Sequence, residues 1–151
     1  MEQSEPVVEV LSVIDDADAK ALESLLGQLS ASAMFDRSRL DAVIAHDATE
    51  LLVARLDGKL VGTATLVTFP LPTGWRGHVE DVVVDESVRG RGVGRQLLQR
   101  ITELAEARQL RTLDLTSRPS RESALRLYES VGFVRRDTNV LRFTPSSTTA
   151  R

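Results

Sequence analysis

The chain has 151 residues, which suits one domain that buries about two thirds of the surface its unfolded form exposes. It contains no cysteine, which excludes disulfides, thiolate metal sites and a catalytic thiol. The net charge is only −3 and aromatic residues make up 4% of the chain, so the basic excess and the stacking side chains typical of nucleic-acid binding are missing.

The lengths of the apolar runs indicate where the protein is found in the cell, and the distribution of charge indicates what kind of ligand it binds. No apolar run approaches the ~20 residues of a membrane span, and M-E-Q-S-E-P lacks the regions of a signal peptide, so we expect a cytoplasmic protein without membrane contact. Residues 1–75 hold 12 acids and 5 bases, whereas residues 76–151 hold 10 acids and 14 bases. The basic half favours a compact anionic ligand, although genomic base composition explains the total of 17 Arg against 2 Lys equally well.

The N-terminal part of the chain predicts one strand and two helices. Residues 7–14 form an apolar run expected of a first strand. Two aspartates at residues 15–16 supply the cap and first-turn acids of a helix whose leucines recur at helical spacing until it ends near residues 27–30. A second, short helix is expected to begin at Asp36 or Ser38.

Two β-rich runs then predict a hairpin. Residues 51–56 and 59–69 are separated by Asp57-Gly58, a pair that permits a tight type I′ turn. The connection that follows, P-L-P-T-G-W-R-G at residues 70–77, is expected to be a rigid turn-rich segment. It carries the single tryptophan, Trp75, which either lines an acceptor pocket or covers the sheet edge.

Residues 77–94 read G-H-V-E-D-V-V-V-D-E-S-V-R-G-R-G-V-G, a buried strand that leads into a glycine-rich turn where a helix begins. Glycines let a ligand approach the backbone, and the first N–H groups of a helix have no internal partner. Arg89, Arg91 and Arg95 surround those donors with guanidinium groups that match phosphate geometry. The stretch therefore predicts a site for a di- or polyphosphate.

The next two elements predict a parallel strand pair. Apolar residues of period near 3.6 indicate a helix over about residues 92–108, and residues 111–116 form a short strand. Because a helix separates the two strands, residues 111–116 are expected to pair parallel to residues 79–84 through a right-handed crossover.

The C-terminal part predicts one more helix and a final strand. Residues 117–120 are expected to cap the helix, and Gly132 to end it. Residues 133–143 are expected to form the last strand or hairpin, and the polar residues 144–151 a tail without order. We expect a single domain over residues 1–143.

The spacing of the glycine turn narrows its ligand. A dinucleotide fingerprint needs a glycine at position 95, where Arg95 stands, and no G-x-x-x-x-G-K-[ST] occurs. The pattern Arg89-x-x-Gly92-x-Gly94 instead resembles the [Q/R]-x-x-G-x-[G/A] signature of the GNAT acyl-CoA-dependent N-acyltransferases. A second segment, A-L-R-L-Y-E-S-V-G-F at residues 124–133, resembles the A-x-x-L-Y-x-x-x-G-F segment of that superfamily.

The resemblance covers roughly residues 7–143 and implies a fold and a cosubstrate. The fold is α/β (α+β), with a mixed sheet of antiparallel N-terminal strands and a splayed parallel pair, flanked by about four helices. The implied cosubstrate is acetyl-CoA, without a metal. Many relatives carry Asn where this chain has Arg121, and that Asn contacts the pantetheine arm. Ser117 or Ser120 is expected to make this contact instead. The implied acyl-CoA site consists of Val82, Val83, Val84, Arg89, Gly90, Arg91, Gly92, Val93, Gly94, Arg95, Ser117 and Arg121.

Two side chains are candidates for the acid–base chemistry of acyl transfer to an amine. Glu80 is the candidate base, directly or through a water, unless it forms an ion pair with an arginine; Asp81, on the opposite face of a regular strand, is the reserve. Tyr128 is the candidate proton donor to the coenzyme A thiolate, unless it is only a packed helix residue. A ternary complex is expected, since no cysteine or activated serine is available. His46 and His78 are too separated to predict a metal site.

The acceptor is the least defined part of the prediction. The run G-H-V-E-D-V-V-V is similar to the equivalent strand of glucosamine-6-phosphate N-acetyltransferases, which implies an amino-sugar-like or other small-molecule amine. Two alternatives remain, a protein or peptide amino group as acceptor and a non-catalytic acyl-CoA-binding sensor. A homodimer is common among similar proteins. No nucleic-acid or membrane partner is expected.

Overall fold

A computed structural model describes residues 4–32 and 34–146. The elements in chain order are β1 (Val7–Val10), α1 (Asp16–Leu29), α2 (Arg37–Ala45), β2 (Thr49–Leu56), β3 (Lys59–Leu71), β4 (Gly74–Val84), a 3-10 turn (Glu86–Val88), α3 (Val93–Ala107), β5 (Thr112–Asp114) and α4 (Glu122–Ser130). The sheet order is β1-β2-β3-β4-β5, with antiparallel pairs up to β4 and a parallel β4–β5 pair. The predicted mixed α/β sheet with four helices is confirmed.

Alternating strand residues bury against helices on both faces of the sheet. In β2, Leu51 and Val53 pack with α1 and α2, whereas Leu52 and Ala54 pack with α3 and α4. Each face therefore has its own apolar core, and the functional elements at the ends of β4 and β5 lie between the two. No helix in the described part of the chain is both long enough and apolar enough to cross a membrane.

Local signals in the sequence place the first turns and caps correctly. Asp57 and Gly58 have φ values of 51° and 80°, as the predicted type I′ turn requires. Asp15 caps α1 by accepting from the Asp18 N–H at 2.8 Å, and Asp36 caps α2. These contacts confirm the predicted starts of both helices.

The prediction of a turn-rich connection over residues 70–77 is wrong. In the β3–β4 hairpin, Pro70 lies opposite Trp75 and Leu71 opposite Gly74, so the turn is limited to residues 72–73. Gly77 lies within β4, where a Cβ would come within 2.9 Å of Leu110 Cδ1. The glycine there allows close packing and does not mark a turn.

A β-bulge interrupts β4. Thr63 pairs with Val83 but Thr65 pairs with Glu80, so two residues of β4, Asp81 and Val82, lie opposite one residue of β3, and Asp81 has a φ of 52°. Val79 packs with α3 and α4, whereas Val83, four positions later, packs with α1 and α2. A regular strand would place both valines on one face, so the bulge reverses the direction of the side chains beyond it.

The later helices agree with the predictions except at one start. Helix α3 lies within the predicted range 92–108. Helix α4 begins at Glu122 after Arg121, which makes no side-chain cap, so the prediction that residues 117–120 cap it is wrong. Gly132, with a φ of 110°, follows the end of α4 as the prediction expects.

The predicted strand over residues 133–143 is also wrong. Residues 133–146, all of which the structure describes, contain no strand or helix. Val140, Leu141 and Phe143 are exposed, and the five-stranded sheet of the described residues does not include this segment. The predicted tail lacks regular structure over residues 144–146, and its remainder lies outside the described residues.

Candidate active site

The parallel strands diverge and leave a cavity between them. β5 pairs with residues 76–78 of β4, which corrects the predicted pairing with residues 79–84. Beyond His78, none of the described strands pairs with the side of β4 that points away from β3. A cavity of about 240 Å³ lies there, with walls from residues 79–82, residues 115–116 and the end of α1. The two parallel strands therefore diverge as predicted, but they pair at an earlier part of β4 than predicted.

Two carboxylates border this cavity. Glu80 and Asp81 both lie in its wall, which corrects the expectation that they occupy opposite faces, because the bulge at Asp81 breaks the alternation. Among the ion pairs that the described residues form, none includes either acid. The structural alternative for Glu80, an ion pair with an arginine, is thus not observed, and both carboxylates remain available to a ligand.

Tyr128 enters the cavity wall from α4. Its side chain is 6% exposed and its ring contacts Phe133 edge-on, with 6.2 Å between centroids. Burial raises the pKa of the Tyr128 phenol above its ordinary value, and the nearby positive charge of Arg121 partly opposes this effect. The phenol therefore stays protonated throughout the neutral range, which suits a proton donor.

The glycine turn leaves the start of α3 without a side-chain cap. Gly90 and Gly92 have φ values of 83° and 80°, a left-handed conformation that favours glycine. Gly92 occupies the cap position and supplies no side-chain acceptor, so the first-turn amides of α3 have no such partner. Gly94 differs, since a Cβ there would lie 3.0 Å from Leu127 Cδ2 in α4. The amide of Val93 belongs to this turn, while its side chain is buried.

The three arginines of the turn are exposed, but they point in different directions. The guanidinium of Arg95 donates to Ser130 Oγ at 2.9 Å, next to the end of α4. Arg89 lies 4.0 Å from the carboxylate of Glu86. Arg91 takes part in none of the ion pairs within the described segments. The turn therefore combines free amides with positive charge, as an anion site requires.

Of the predicted cofactor residues beyond β5, Arg121 lies in the cavity wall and Ser117 does not. The hydroxyl of Ser117 is buried and finds no hydrogen-bond partner among the described residues, and Arg121 lies in the cavity wall at the start of α4. Ser120, the other serine considered for this contact, is exposed. A buried hydroxyl without a partner is costly unless a ligand supplies one.

Several wall residues were missed by the sequence reasoning. Leu29 and Ser30 close the cavity from the end of α1, and Leu115 and Thr116 follow β5. The last two could have been found from their position at the carboxyl end of a parallel strand. Leu29 and Ser30 gave no signal, because only the packing of α1 on the sheet brings them close. Trp75 is 53% exposed and is absent from this wall.

Comparisons with known proteins agree with this geometry. The model of the acetyltransferase (GNAT) family matches residues 19–133. A glucosamine 6-phosphate N-acetyltransferase of Trypanosoma brucei brucei is 32% identical over 131 residues, covering 82% of this chain and 87% of the relative. The N-alpha-acetyltransferase RimI of Mycobacterium tuberculosis is 30% identical, covering 87% of this chain and 81% of the relative.

A solved structure shows the same architecture. An acetyltransferase of Trypanosoma brucei aligns with a TM-score of 0.77 and 27% identity, and the alignment covers 93% of this chain and 100% of that protein. The family match extends from α1 to the residue after Gly132 and so includes the cavity, the glycine turn and Tyr128. The chain therefore belongs to the GNAT family and is an N-acetyltransferase.

Proposed function

We propose that this protein transfers an acetyl group from acetyl-CoA to the primary amine of a small molecule, by direct attack in a ternary complex. The observation that carries the proposal is the cavity between the diverging strands, which brings two unpaired carboxylates and one buried phenol to the same wall. The glycine turn and the uncapped start of α3 lie at the end of β4, next to this cavity.

The residues present fit acetyl-CoA. The amides at the start of α3 and the side chains of Arg89 and Arg91 would hold the pyrophosphate, as donors and positive charges at a helix N-terminus do. Arg95 would join them only by releasing Ser130. The unpaired backbone groups of residues 82–84 would bind the pantetheine amides, and the buried Ser117 hydroxyl would gain the partner it lacks.

The carboxylates would prepare the acceptor. An ammonium has no lone pair, so the amine must lose a proton before it attacks the thioester carbonyl. Glu80, which no ion pair engages, would take that proton directly or through a water, and Asp81 is close enough in the wall to share the role. Backbone N–H groups of residues 82–84 would stabilise the oxyanion that forms on the attacked carbonyl.

Tyr128 would supply the second proton. The sulfur leaves more readily as a thiol than as a thiolate. Burial raises the pKa of the Tyr128 phenol, so the phenol carries a proton to donate at neutral pH. The acid and the base stand in the wall of one cavity, so no covalent enzyme intermediate is required.

The acceptor is drawn from two classes. One relative is named for glucosamine 6-phosphate and another for N-alpha-acetylation, at nearly equal identity of 32% and 30%. We place a small amine first because the cavity, at about 240 Å³ with two carboxylates in its wall, has room for one. We keep N-alpha-acetylation of a protein as the second candidate, on the strength of that relative.

Coenzyme A release from acetyl-CoA tests the proposal. The panel contains amino sugars, glucosamine 6-phosphate, simple alkyl and aryl amines, and peptides with free N-termini. We expect turnover with a small amine, and a loss of about 100-fold or more in kcat for Tyr128→Phe with unchanged affinity for coenzyme A. Binding of acetyl-CoA without release for any amine would contradict the proposal and identify a sensor.

A further inference from the structure

A second cavity lies on the α1–α2 side of the sheet. Its volume is about 140 Å³, and its wall is mainly apolar. The apolar side chains come from both helices and from β2, and they are Leu22, Leu26, Leu40, Val43 and Leu51. A cavity of ~150 Å³ accepts a benzene-sized group when its walls are apolar, and this cavity has a similar volume. We call this cavity the apolar slot.

Most polar side chains in the slot wall already have partners within the protein. The Thr63 hydroxyl donates to the Leu52 carbonyl at 2.8 Å. The Asp36 carboxylate accepts from the Ser38 N–H at 2.9 Å as a helix cap, and Arg39 donates to the Met34 carbonyl at 3.4 Å. Thr63 and Asp36 are thus engaged within the protein, and most of the surface that the slot offers is apolar, so the slot is suited to an apolar guest.

Asp81 connects the slot to the cavity described above. Asp81 lies in the walls of both, and the two walls share no other residue. This position depends on the bulge, since its φ of 52° is left-handed and the strand alternation breaks there. The exposed carboxylate has no ion-pair partner among the residues that the structure describes, so a positively charged nitrogen can take that place.

We propose that the acceptor is a primary amine with a compact apolar group, which enters the slot while its nitrogen rests at Asp81 facing the first cavity. This inference rests on the proposed function and narrows it to arylalkyl and branched alkyl amines. The ammonium first loses one proton to a carboxylate of the wall, which passes it to solvent. The nitrogen then forms a bond to the acetyl carbon and the carbon–sulfur bond breaks, while the second proton lost from nitrogen is balanced by the proton that sulfur gains. The products are an N-alkylacetamide and free coenzyme A.

Amine structure provides the first test. We compare kcat/KM for ethylamine, isopentylamine, 2-phenylethylamine and glucosamine 6-phosphate by coenzyme A release. Each methylene buried in the slot is expected to raise kcat/KM by about fourfold, so isopentylamine exceeds ethylamine by tens of fold. Glucosamine 6-phosphate is expected below 2-phenylethylamine. A preference for glucosamine 6-phosphate, or equal rates for the alkyl amines, overturns the inference and leaves the proposed function intact.

Filling the slot provides the second test. Val43→Phe places a ring in the slot, whereas Ile44→Phe is a matched control: Ile44 is the next residue of α2, is partly buried against the same core and is not part of the slot wall. Val43→Phe is expected to lower kcat/KM for 2-phenylethylamine at least tenfold and to leave ethylamine within about twofold. Equal loss for both amines, or equal effects of both variants, contradicts the inference. If Val43→Phe does not fold, Leu26→Phe fills the slot from α1.

Binding without turnover separates this inference from the proposed function. Fluorine NMR of 4-fluorophenethylamine with the wild-type protein, in the absence of acetyl-CoA, is expected to show binding that Val43→Phe weakens at least tenfold. Binding without acetylation of any amine would refute the proposed function and leave a ligand slot. Acetylation of polar amines without such binding would refute the slot alone.

Discussion

Gly92→Ala tests the anion site at the start of α3, and Gly58→Ala is its matched control. Both glycines have a φ of 80°, and a Cβ at either position would meet nothing within 4 Å. The substitution therefore adds no clash at either site. Its cost is the left-handed conformation alone, about 1–2 kcal/mol for a residue with a side chain.

The two turns are expected to respond differently. Gly58 lies between paired strands, where Leu56 pairs with Lys59, so the turn is held and the cost lowers the free energy of unfolding by about 1–2 kcal/mol. Gly92 caps α3 without a side-chain bond and is exposed, so we expect its turn to relax in the free Gly92→Ala variant. The ligand must then restore the left-handed turn, and its affinity falls by about 5- to 30-fold.

Calorimetric titration with coenzyme A and urea unfolding, applied to both variants, separate these effects. We expect weaker binding with nearly unchanged stability for Gly92→Ala, and lower stability with unchanged binding for Gly58→Ala. Wild-type affinity in Gly92→Ala, or equal losses of affinity in both variants, would refute the role of the turn.

Three further results are expected. Because burial raises the pKa of Tyr128, the alkaline limb of kcat lies above pH 10 and disappears in Tyr128→Phe, and a limb near pH 8 would exclude this assignment. Arg55 donates two hydrogen bonds of 2.9 Å to the Asp18 carboxylate, which is 13% exposed, and this contact lowers the pKa of Asp18. Arg55→Met is therefore expected to lower the free energy of unfolding in urea by about 1–3 kcal/mol. That difference is present above the ordinary aspartate pKa and disappears as pH falls through the lowered value; a pH-independent difference would contradict it. Gly62→Ala is expected to lower the melting temperature, because its Cβ would lie 2.8 Å from a valine methyl of α3. Gly27→Ala in α1 is expected to raise the melting temperature, because its Cβ would meet nothing within 4 Å and alanine favours a helix. The reverse order would be inconsistent with this packing.

The sequence predicted elements whose signals are local. Asp57-Gly58 identified a turn because both residues adopt positive φ, and Asp15 identified a helix start because its carboxylate caps its own helix. The predictions failed where the outcome depends on distant residues. Gly77 suggested a turn but allows Leu110 to pack on a strand, and residues 133–143 have strand-forming residues but no neighbouring strand.

The same distinction applies to the site. Glu80 and Tyr128 were predicted from the strand and the helix motif, and both lie in one cavity wall. The bulge was not predictable, because V-E-D-V-V-V has the composition of a regular strand and only the pairing with β3 reveals the extra residue at Asp81. The hydrogen bond from Arg95 to Ser130 joins residues 35 positions apart and left no trace in the sequence.

Amide chemical shifts during a titration with coenzyme A test the central claim most directly, because they report where the ligand binds. We predict that the amides of residues 82–84 and 90–95 shift together and saturate at one affinity, while Thr73, in the β3–β4 turn at the other end of the sheet, does not move. Saturable binding that leaves residues 90–95 unperturbed, or the absence of any shift, would contradict the claim that the start of α3 holds the cosubstrate.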